Sequence, residues 1–283
     1  MVLAAIGDLV EDIVVSCATS LNPAADTSAC IVRRRGGSAA NVVATAARRG
    51  GPARFLGQVG DDLVGRGLVD ELHAAGVDVT CVRYGGTTGA IVVLVDEQGE
   101  RTMLTDRGAC TRLDRPERAW LDGVTVLHVP LYSLAEPPLA DTASTLLAWC
   151  RDAAIDVSID LSSTTTIDAL GIDRVGELLA RLRPAVVLAN ADEAERLRID
   201  RPIADAITVI KRGSGPVELL HRDGSFSVPA EPLGDIEDST GAGDAFAAGF
   251  LVCDFRDDPE AACRAGHRAA AETLRSRGPT GDL

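Results

Sequence analysis

The sequence predicts an α/β fold: a mostly parallel central sheet with helices on both faces, plus a small β lid. Three observations predict it. The second half alternates short apolar or β-branched runs with helical stretches, the pattern of strands joined by crossover helices. The first half interrupts that alternation with extra β segments at about residues 13–35 and 85–107. Finally, the 283 residues contain no repeat, low-complexity stretch or linker that would split them into serial domains, so residues 1–283 read as one domain with the lid inserted.

The elements follow in order. Val2 to Ile6 is an apolar run closed by Gly7-Asp8, a buried strand. Ile13-Val14-Val15 and Ile31-Val32 read as lid or edge strands around a polar loop. Arg33-Arg34-Arg35 reads either as a phosphate patch or as the solvated end of a strand. A Gly turn at Gly36-Gly37 opens an Ala-rich helix that stops at Gly50-Gly51. Ala53 to Val59 is a strand. Leu63 to Ala75 is a helix with Leu63, Gly67, Leu68 and Leu72 on one face. Residues 90–95 and 101–104 flank a Gly-containing loop as a hairpin. Strands are then expected at 124–129, 155–161, 186–189 and 207–210, and helices at 140–153, 173–182 and 193–197. A second hairpin spans Val217 to Val228. Two helices, from near Gly243 and from Pro259 to Arg275, close the chain.

Composition narrows the function. Basic residues number 28 against 42 acidic, a formal charge of -14. Nucleic acid is therefore excluded as a main partner, since a phosphate backbone needs a basic face. A nucleotide needs only a local positive potential and stays open. Lys211 is the only lysine, so a Walker-type Gly-Lys-Ser/Thr loop is absent. Seven scattered cysteines without a C-x-x-C pair fit neither zinc nor a disulfide framework, and read as reduced thiols of a cytoplasmic protein. The N-terminus is apolar but broken by Asp8, Glu11 and Asp12, a strand rather than a signal peptide. No apolar run approaches a membrane span.

The chemistry gathers at Asp238-Ser239-Thr240-Gly241-Ala242-Gly243-Asp244, a polar Gly-rich turn running into an apolar helix. Amides at a helix N-terminus suit an anion such as phosphate. A carboxylate there is repelled by bound phosphate, so Asp244 is a candidate base for an attacking hydroxyl. The plainer alternative is an acid capping a helix N-terminus.

The pairing of this stretch with Gly36-Gly37-Ser38-Ala39-Ala40-Asn41 resembles the two signatures of the ribokinase-like (PfkB) carbohydrate kinase family. The resemblance runs from Gly7 to Gly278 and includes Leu56 to Gly65, Asn190-Ala191-Asp192-Glu193 and Lys211-Arg212-Gly213. It implies a ribokinase-like three-layer α/β/α sandwich and transfer of phosphate from ATP, with Mg2+, to a hydroxyl of a small sugar. The family's base falls on Asp244, and its anion hole on the amides of Gly241, Ala242, Gly243 and Asp244. Its sugar contacts fall on Asp12, Gly37 and Asn41. The nucleotide and magnesium positions fall on Asn190, Glu193 (through magnesium, indirectly), Lys211, Gly213 and His267. A monovalent cation such as K+ would sit near Asp238 and Gly278. A homodimer through the lid is a further expectation.

One departure bears on the substrate. Members acting on acidic or phosphorylated sugars carry an Arg soon after the central strand's Asp, whereas here Asp160 is followed by Leu161-Ser162-Ser163-Thr164. Tyr132 and Leu131 are candidates for the pocket wall. Two alternatives stay open beside a sugar kinase: a nucleoside kinase of the same family, and a catalytically silent sugar- or nucleotide-binding regulator. Retention of Asp244 speaks against the latter, because a binder needs no base.

Overall fold

The computed structural model describes residues 1–17, 21–22, 24–96, 98, 100–230 and 240–276. In chain order the main elements are β1 (Val2–Ile6), β2 (Val10–Cys17), β3 (Ala29–Gly36), α1 (Ser38–Arg48), β4 (Ala53–Leu56), β5 (Gln58–Val59), α2 (Leu63–Ala74), β6 (Val77–Asp78), β7 (Arg83–Tyr84), β8 (Thr88–Val95) and β9 (Arg101–Gly108). The second half adds β10 (Val124–Pro130), α3 (Leu139–Asp152), β11 (Asp156–Asp160), α4 (Thr164–Leu170), α5 (Ile172–Leu182), β12 (Val186–Asn190), α6 (Ala191–Arg196), β13 (Ile207–Lys211), β14 (Val217–His221), β15 (Gly224–Val228), α7 (Ala242–Leu251) and α8 (Pro259–Ser276).

Nine strands form the central sheet in the order β15-β14-β13-β12-β11-β10-β1-β4-β6. From β13 to β6 every neighbouring pair is parallel; β14 and β15 join antiparallel at one edge. Successive side chains of a strand face opposite ways, so each buried strand feeds two cores. Leu3 and Ala5 of β1 pack with α1, α2, α7 and α8, while Ala4 and Ile6 pack with α3 to α6. The result is three layers, helices–sheet–helices.

The lid is a separate four-stranded sheet, β3-β2-β8-β9. Its middle pair, β2 and β8, is parallel; the outer pairs are antiparallel. Asp62 anchors its base. The carboxylate caps α2 by accepting from the Gly65 amide at 2.8 Å, and accepts from the Thr88 amide and hydroxyl at 2.8 and 2.6 Å. These hydrogen bonds, those of Thr88 and Gly65 foremost, hold the Asp62 carboxyl below the usual carboxylate range.

Three expectations are corrected by packing. The run from Ala53 to Val59 is two strands, and the second, β5, leaves the central sheet to pair with β7. The chain breaks at Gly57, where a Cβ would lie 2.5 Å from the Phe55 ring. In α2, Leu63 is 89% exposed, and the buried face is Gly65, Leu68, Val69 and Leu72. Leu63 directly follows the capping Asp62, so the first turn is fixed by its cap rather than by an apolar contact. Helix α4 was not expected, because three consecutive threonines disfavour a helix. Ser163 starts it by accepting from the Thr166 amide at 3.2 Å.

Helices α7 and α8 cross closely because Gly249 and Gly266 let them. A Cβ on Gly249 would lie 2.5 Å from the Ala265 carbonyl oxygen, and one on Gly266 2.8 Å from the Phe246 ring. Phe246, Phe250 and Phe255 stack in series beside this crossing, with centroids 6.3 and 5.8 Å apart. Gly249→Ala is expected to destabilise the fold by about 1–3 kcal/mol, since the clash is with backbone. Chemical denaturation checks this; an unchanged midpoint would show that the helices can separate freely.

Inside the sheet, His128 of β10 is fully buried with Nδ1 3.2 Å from the Ser158 hydroxyl. Burial pushes its pKa down to about 4, with nearby Lys211 adding to the fall and Asp160 opposing it. The folded state thus disfavours the charged imidazole. Stability from this group is complete above the ordinary histidine value and is lost as pH falls toward about 4. His128→Gln should therefore lose about 2 kcal/mol less stability than the parent between about pH 7 and 5. Equal losses, measured by denaturant titration at both pH values, would contradict a neutral buried His128.

Candidate active site

The carboxyl ends of the parallel strands deliver the functional side chains to one edge of the sheet. Asp8 follows β1, Tyr132 follows β10, Asp160 ends β11, Asn190 ends β12 and Lys211 ends β13. Helices α1 and α7 bring their N-termini to the same place. Ligands of open α/β sheets bind at such strand ends.

Asp244 lies in the first turn of α7, whose N-cap Gly241 has φ 78. Its two carboxylate oxygens are held from α1: Oδ1 accepts from the Ser38 hydroxyl at 2.7 Å, and Oδ2 from the Asn41 amide at 2.9 Å. Burial raises the Asp244 pKa above the usual carboxylate value, while the bonds from Ser38 and Asn41 oppose the rise. The group is a stronger base than a solvated aspartate and remains fixed in direction.

Beneath this turn lies an ion pair. Lys211 Nζ donates to Asp160 Oδ2 at 2.8 Å, with both side chains largely buried. Burial opposes both charges, yet the pairing wins: Asp160 is held below, and Lys211 above, its ordinary value. Asp160 is further fixed by the Ser162 amide at 2.9 Å. A Cβ on Gly243 would come 3.5 Å from Lys211 Nζ, so the ammonium underlies the amides of the α7 N-terminus.

Asn190 and Glu193 form a reciprocal capping box on α6. The Glu193 amide donates to Asn190 Oδ1 at 2.9 Å, and the carboxylate accepts from the Asn190 amide and side chain, each at 2.8 Å. Burial pushes the Glu193 pKa up to about 7, with Asp160 adding to the rise.

On the lid side, Asp12 of β2 curls over the end of β3: a Cβ on Gly36 would lie 2.1 Å from its Oδ1. Gly37 has φ 100, and a Cβ there would lie 2.2 Å from the Asp8 carbonyl oxygen, so only glycine fits. Arg107 of β9 forms a bidentate pair with Asp8, both bonds at 2.8 Å, and stacks 4.8 Å above the Tyr132 ring. Arg101, at the start of the same strand, donates to the Thr240 hydroxyl at 2.6 Å, which brings the lid to the residue before Gly241.

The structure brings Asp244, Gly241, Ala242, Gly243, Asn41, Lys211, Asn190 and Glu193 to one end of the sheet. Gly213 is in the turn after β13, with φ 58. His267 of α8 is turned inward: Nε2 lies 3.2 Å from the Val228 carbonyl oxygen, and the ring meets Phe246 edge-on at 5.3 Å. Asp238 and Gly278 lie outside the described residues. Asn41, expected as a sugar contact, has both ends of its amide engaged by protein groups, Arg35 and Asp244. Ser38, Asp8 and Arg107 join the site without a local signal in the sequence. Ser38 lies inside the Gly36 to Asn41 stretch, but its reach to Asp244 depends on two helices meeting 206 residues apart.

A match to the model of the pfkB family carbohydrate kinases covers residues 3–283. An ATP-dependent ribose-1-phosphate kinase of Halopiger xanaduensis is 34% identical over 276 residues, 92% of this chain and 89% of that protein. An aminoimidazole riboside kinase of Salmonella typhimurium is 30% identical, covering 76% of this chain and 72% of that protein. The crystal structure of an adenosine kinase from Sinorhizobium meliloti superposes with a TM-score of 0.85 at 24% identity, covering 98% of this chain and 94% of that one. The matched span takes in both helix N-termini that meet at Asp244 and the strand ends beneath them; the chain belongs to the pfkB family of carbohydrate kinases, with their ribokinase-like three-layer fold.

Proposed function

We propose that this enzyme transfers the γ-phosphoryl group of ATP to a hydroxyl of a small sugar, with Asp244 as base. The observation that carries the reading is Asp244 at the α7 N-terminus, fixed by Ser38 and Asn41 and underlain by the Lys211–Asp160 pair. An alcohol is a poor nucleophile at neutral pH, and a carboxylate that accepts its proton during attack removes that obstacle. The sugar oxygen forms a bond to the γ-phosphorus as the bond from that phosphorus to the β–γ bridging oxygen breaks, and ADP leaves. The amides of Gly241, Ala242, Gly243 and Asp244, backed by the Lys211 ammonium, meet the charge on the transferring group.

Among the described residues no cluster of three metal-binding side chains occurs. That fits magnesium carried in by the phosphates, which keeps most of its waters and needs few protein ligands. Glu193, buried beside Asn190 at this edge of the sheet, is suited to hold such a water. When bound, magnesium would neutralise charge on the phosphates. Asp238 and Gly278 remain the proposed place for a K+ ion, to be tested by the dependence of rate on K+ at fixed ionic strength.

On the acceptor side, Asp12 and the backbone at Gly37 line the sugar pocket under the lid. Gly213 and α8 around His267 border the nucleotide, with the inward-facing imidazole shaping the wall. The two named relatives share a ribose-bearing substrate in their names, so ribose-bearing compounds head the list of acceptors. A nucleoside acceptor is the second reading within that list. The lid exposes Ile31 and Leu104, each more than half accessible and on the same face of its sheet, and a second lid would cover them. We therefore place a homodimer contact there; a monomer by light scattering at micromolar concentration would remove it.

ADP release with ribose, ribose 1-phosphate, fructose, adenosine and aminoimidazole riboside tests the function. Asp244→Asn should lower kcat by roughly 10²–10⁴-fold while ATP still binds. Near-normal turnover in that variant would take Asp244 out of the mechanism. Asp12→Ala should weaken the acceptor by about 1.5–3 kcal/mol per lost charge-assisted bond and leave ATP affinity unchanged. Calorimetry on both ligands decides it: equal losses on the two would assign Asp12 to the fold.

A further inference from the structure

Of the three consecutive arginines that end β3, one does not behave as a solvated strand end. Arg33 forms an exposed pair with Glu11, and Arg34 stands opposite Asp12 in the lid register. Arg35 has a side chain only 9% exposed and points toward α1 and α2. Its Nη1 donates to Asn41 Oδ1 at 2.9 Å, and its Nε to Glu71 Oε1 at 3.1 Å. Asn41 in turn donates from Nδ2 to Asp244 Oδ2 at 2.9 Å. The order Glu71–Arg35–Asn41–Asp244 thus runs from α2 through the lid strand to the base.

The chemistry of the three groups makes this order directional. A guanidinium has donors and no acceptor, and it stays charged at every pH the enzyme meets. Only the oxygen end of the Asn41 amide can face it. The NH2 end must then face Asp244, where a carboxylate can only accept. Without Arg35 the amide can rotate by half a turn, and its oxygen would oppose Oδ2 of the base. One hydrogen bond to the base would become a repulsion.

We propose that Arg35 is a positioning residue for phosphoryl transfer: by clamping the oxygen of Asn41 it keeps the amide's NH2 end on Asp244. It also ties the setting of the base to the seating of lid strand β3 against α1 and α2. The proposal rests on the reading of Asp244 as base. The hydrogen bonds of Arg35 go to Asn41 and Glu71, so it acts on Asp244 through Asn41.

The test is the pH profile of Arg35→Ala and Arg35→Lys. The groups that face Asp244 are Ser38 and Asn41 from α1, Asp160 from β11, Lys211 from β13 and Tyr132 after β10. All of them persist in both variants, and Arg35→Gln, which keeps an N–H donor without the charge, separates the two causes: a shift present in Arg35→Ala and absent in Arg35→Gln reports the amide. Turnover is measured with ATP and whichever of the five acceptors above gives the highest kcat/KM. The Asp244 carboxyl is titrated separately by ¹³C NMR of aspartate-labelled protein, its signal assigned with Asp244→Asn.

Arg35→Ala should lower kcat roughly 10–100-fold through misorientation of the base, with KM for ATP changed less than about twofold. The acid limb of kcat/KM and the carboxyl titration should both move to higher pH, because a donor to the charged form is lost. Arg35→Lys, which still donates to Oδ1, should recover most of both. If Arg35→Ala melts like the parent but keeps its kcat and acid limb, the proposal is overturned. Should the alanine variant not fold, Glu71→Gln loosens Arg35 from the other side without touching Asn41. It must lower kcat by a smaller factor than Arg35→Ala with KM for ATP unchanged, and an unchanged kcat there also overturns the proposal. An active Asp244→Asn would instead remove the base reading itself, whereas an inactive Asp244→Asn beside an unaffected Arg35→Ala removes only the clamp.

Discussion

Two helix N-termini, those of α1 and α7, meet over one carboxylate. Each helix end carries a partial positive charge and donors that its own backbone does not use. Facing one another directly they would repel. Asp244 lies between them, accepting from Ser38 and Asn41 of α1 while sitting in the first turn of α7. The bonds from Ser38 and Asn41 oppose the rise in pKa that burial gives this carboxyl. The rest of the architecture serves this meeting. The parallel sheet sets the layer on which both helices lie, and the close α7–α8 crossing at Gly249 fixes the depth of α7.

The positive charge below the site has a matching constraint. A lone buried lysine would lose its proton or its place. Asp160 prevents both, and the Ser162 amide holds Asp160 in turn. Glu193 is close enough to Asp160 for the two carboxylates to repel, and with burial this leaves Glu193 near neutrality in its pKa. The ends of β11 and β13 and the first turn of α6 therefore supply one set of interacting charges. In a chain of formal charge -14, the local positive potential at these strand ends comes from Lys211 and from backbone dipoles, not from composition.

The lid is joined to the main body by contacts of different kinds. Asp62 and Thr88 tie its base to α2, Arg107 ties β9 to Asp8, Arg101 reaches Thr240, and Arg35 reaches Asn41 and Glu71. The tie from Arg107 is a bidentate pair with a buried carboxylate, the strongest geometry of the set. Movement of the lid would have to exchange these polar contacts for water, so its position and the order of the site are energetically linked.

Much of this was legible from the residues alone. Alternation of β-branched runs with helical stretches gave the parallel sheet, because the two periods, 2 and 3.6, are imposed by backbone geometry. Gly36-Gly37 announced a turn opening a helix, and Asp244 after Gly241 and Gly243 announced a carboxylate at a helix N-terminus. Local signals failed where a partner far along the chain decided the outcome. The sequence near Arg35 cannot distinguish a solvated cation from one clamped between Glu71 and Asn41. Ser38 gives no hint of a carboxylate partner 206 residues away, and Lys211 could equally have ended an ordinary strand. Leu63 fitted an apolar face that the cap at Asp62 turned outward. Secondary structure follows from propensities and periodicity within a few residues, so the sequence by itself determined the layers and the glycine turn at the start of α7. The pairing of charges depends on which strand ends and helix ends become neighbours, and only the tertiary structure decided that.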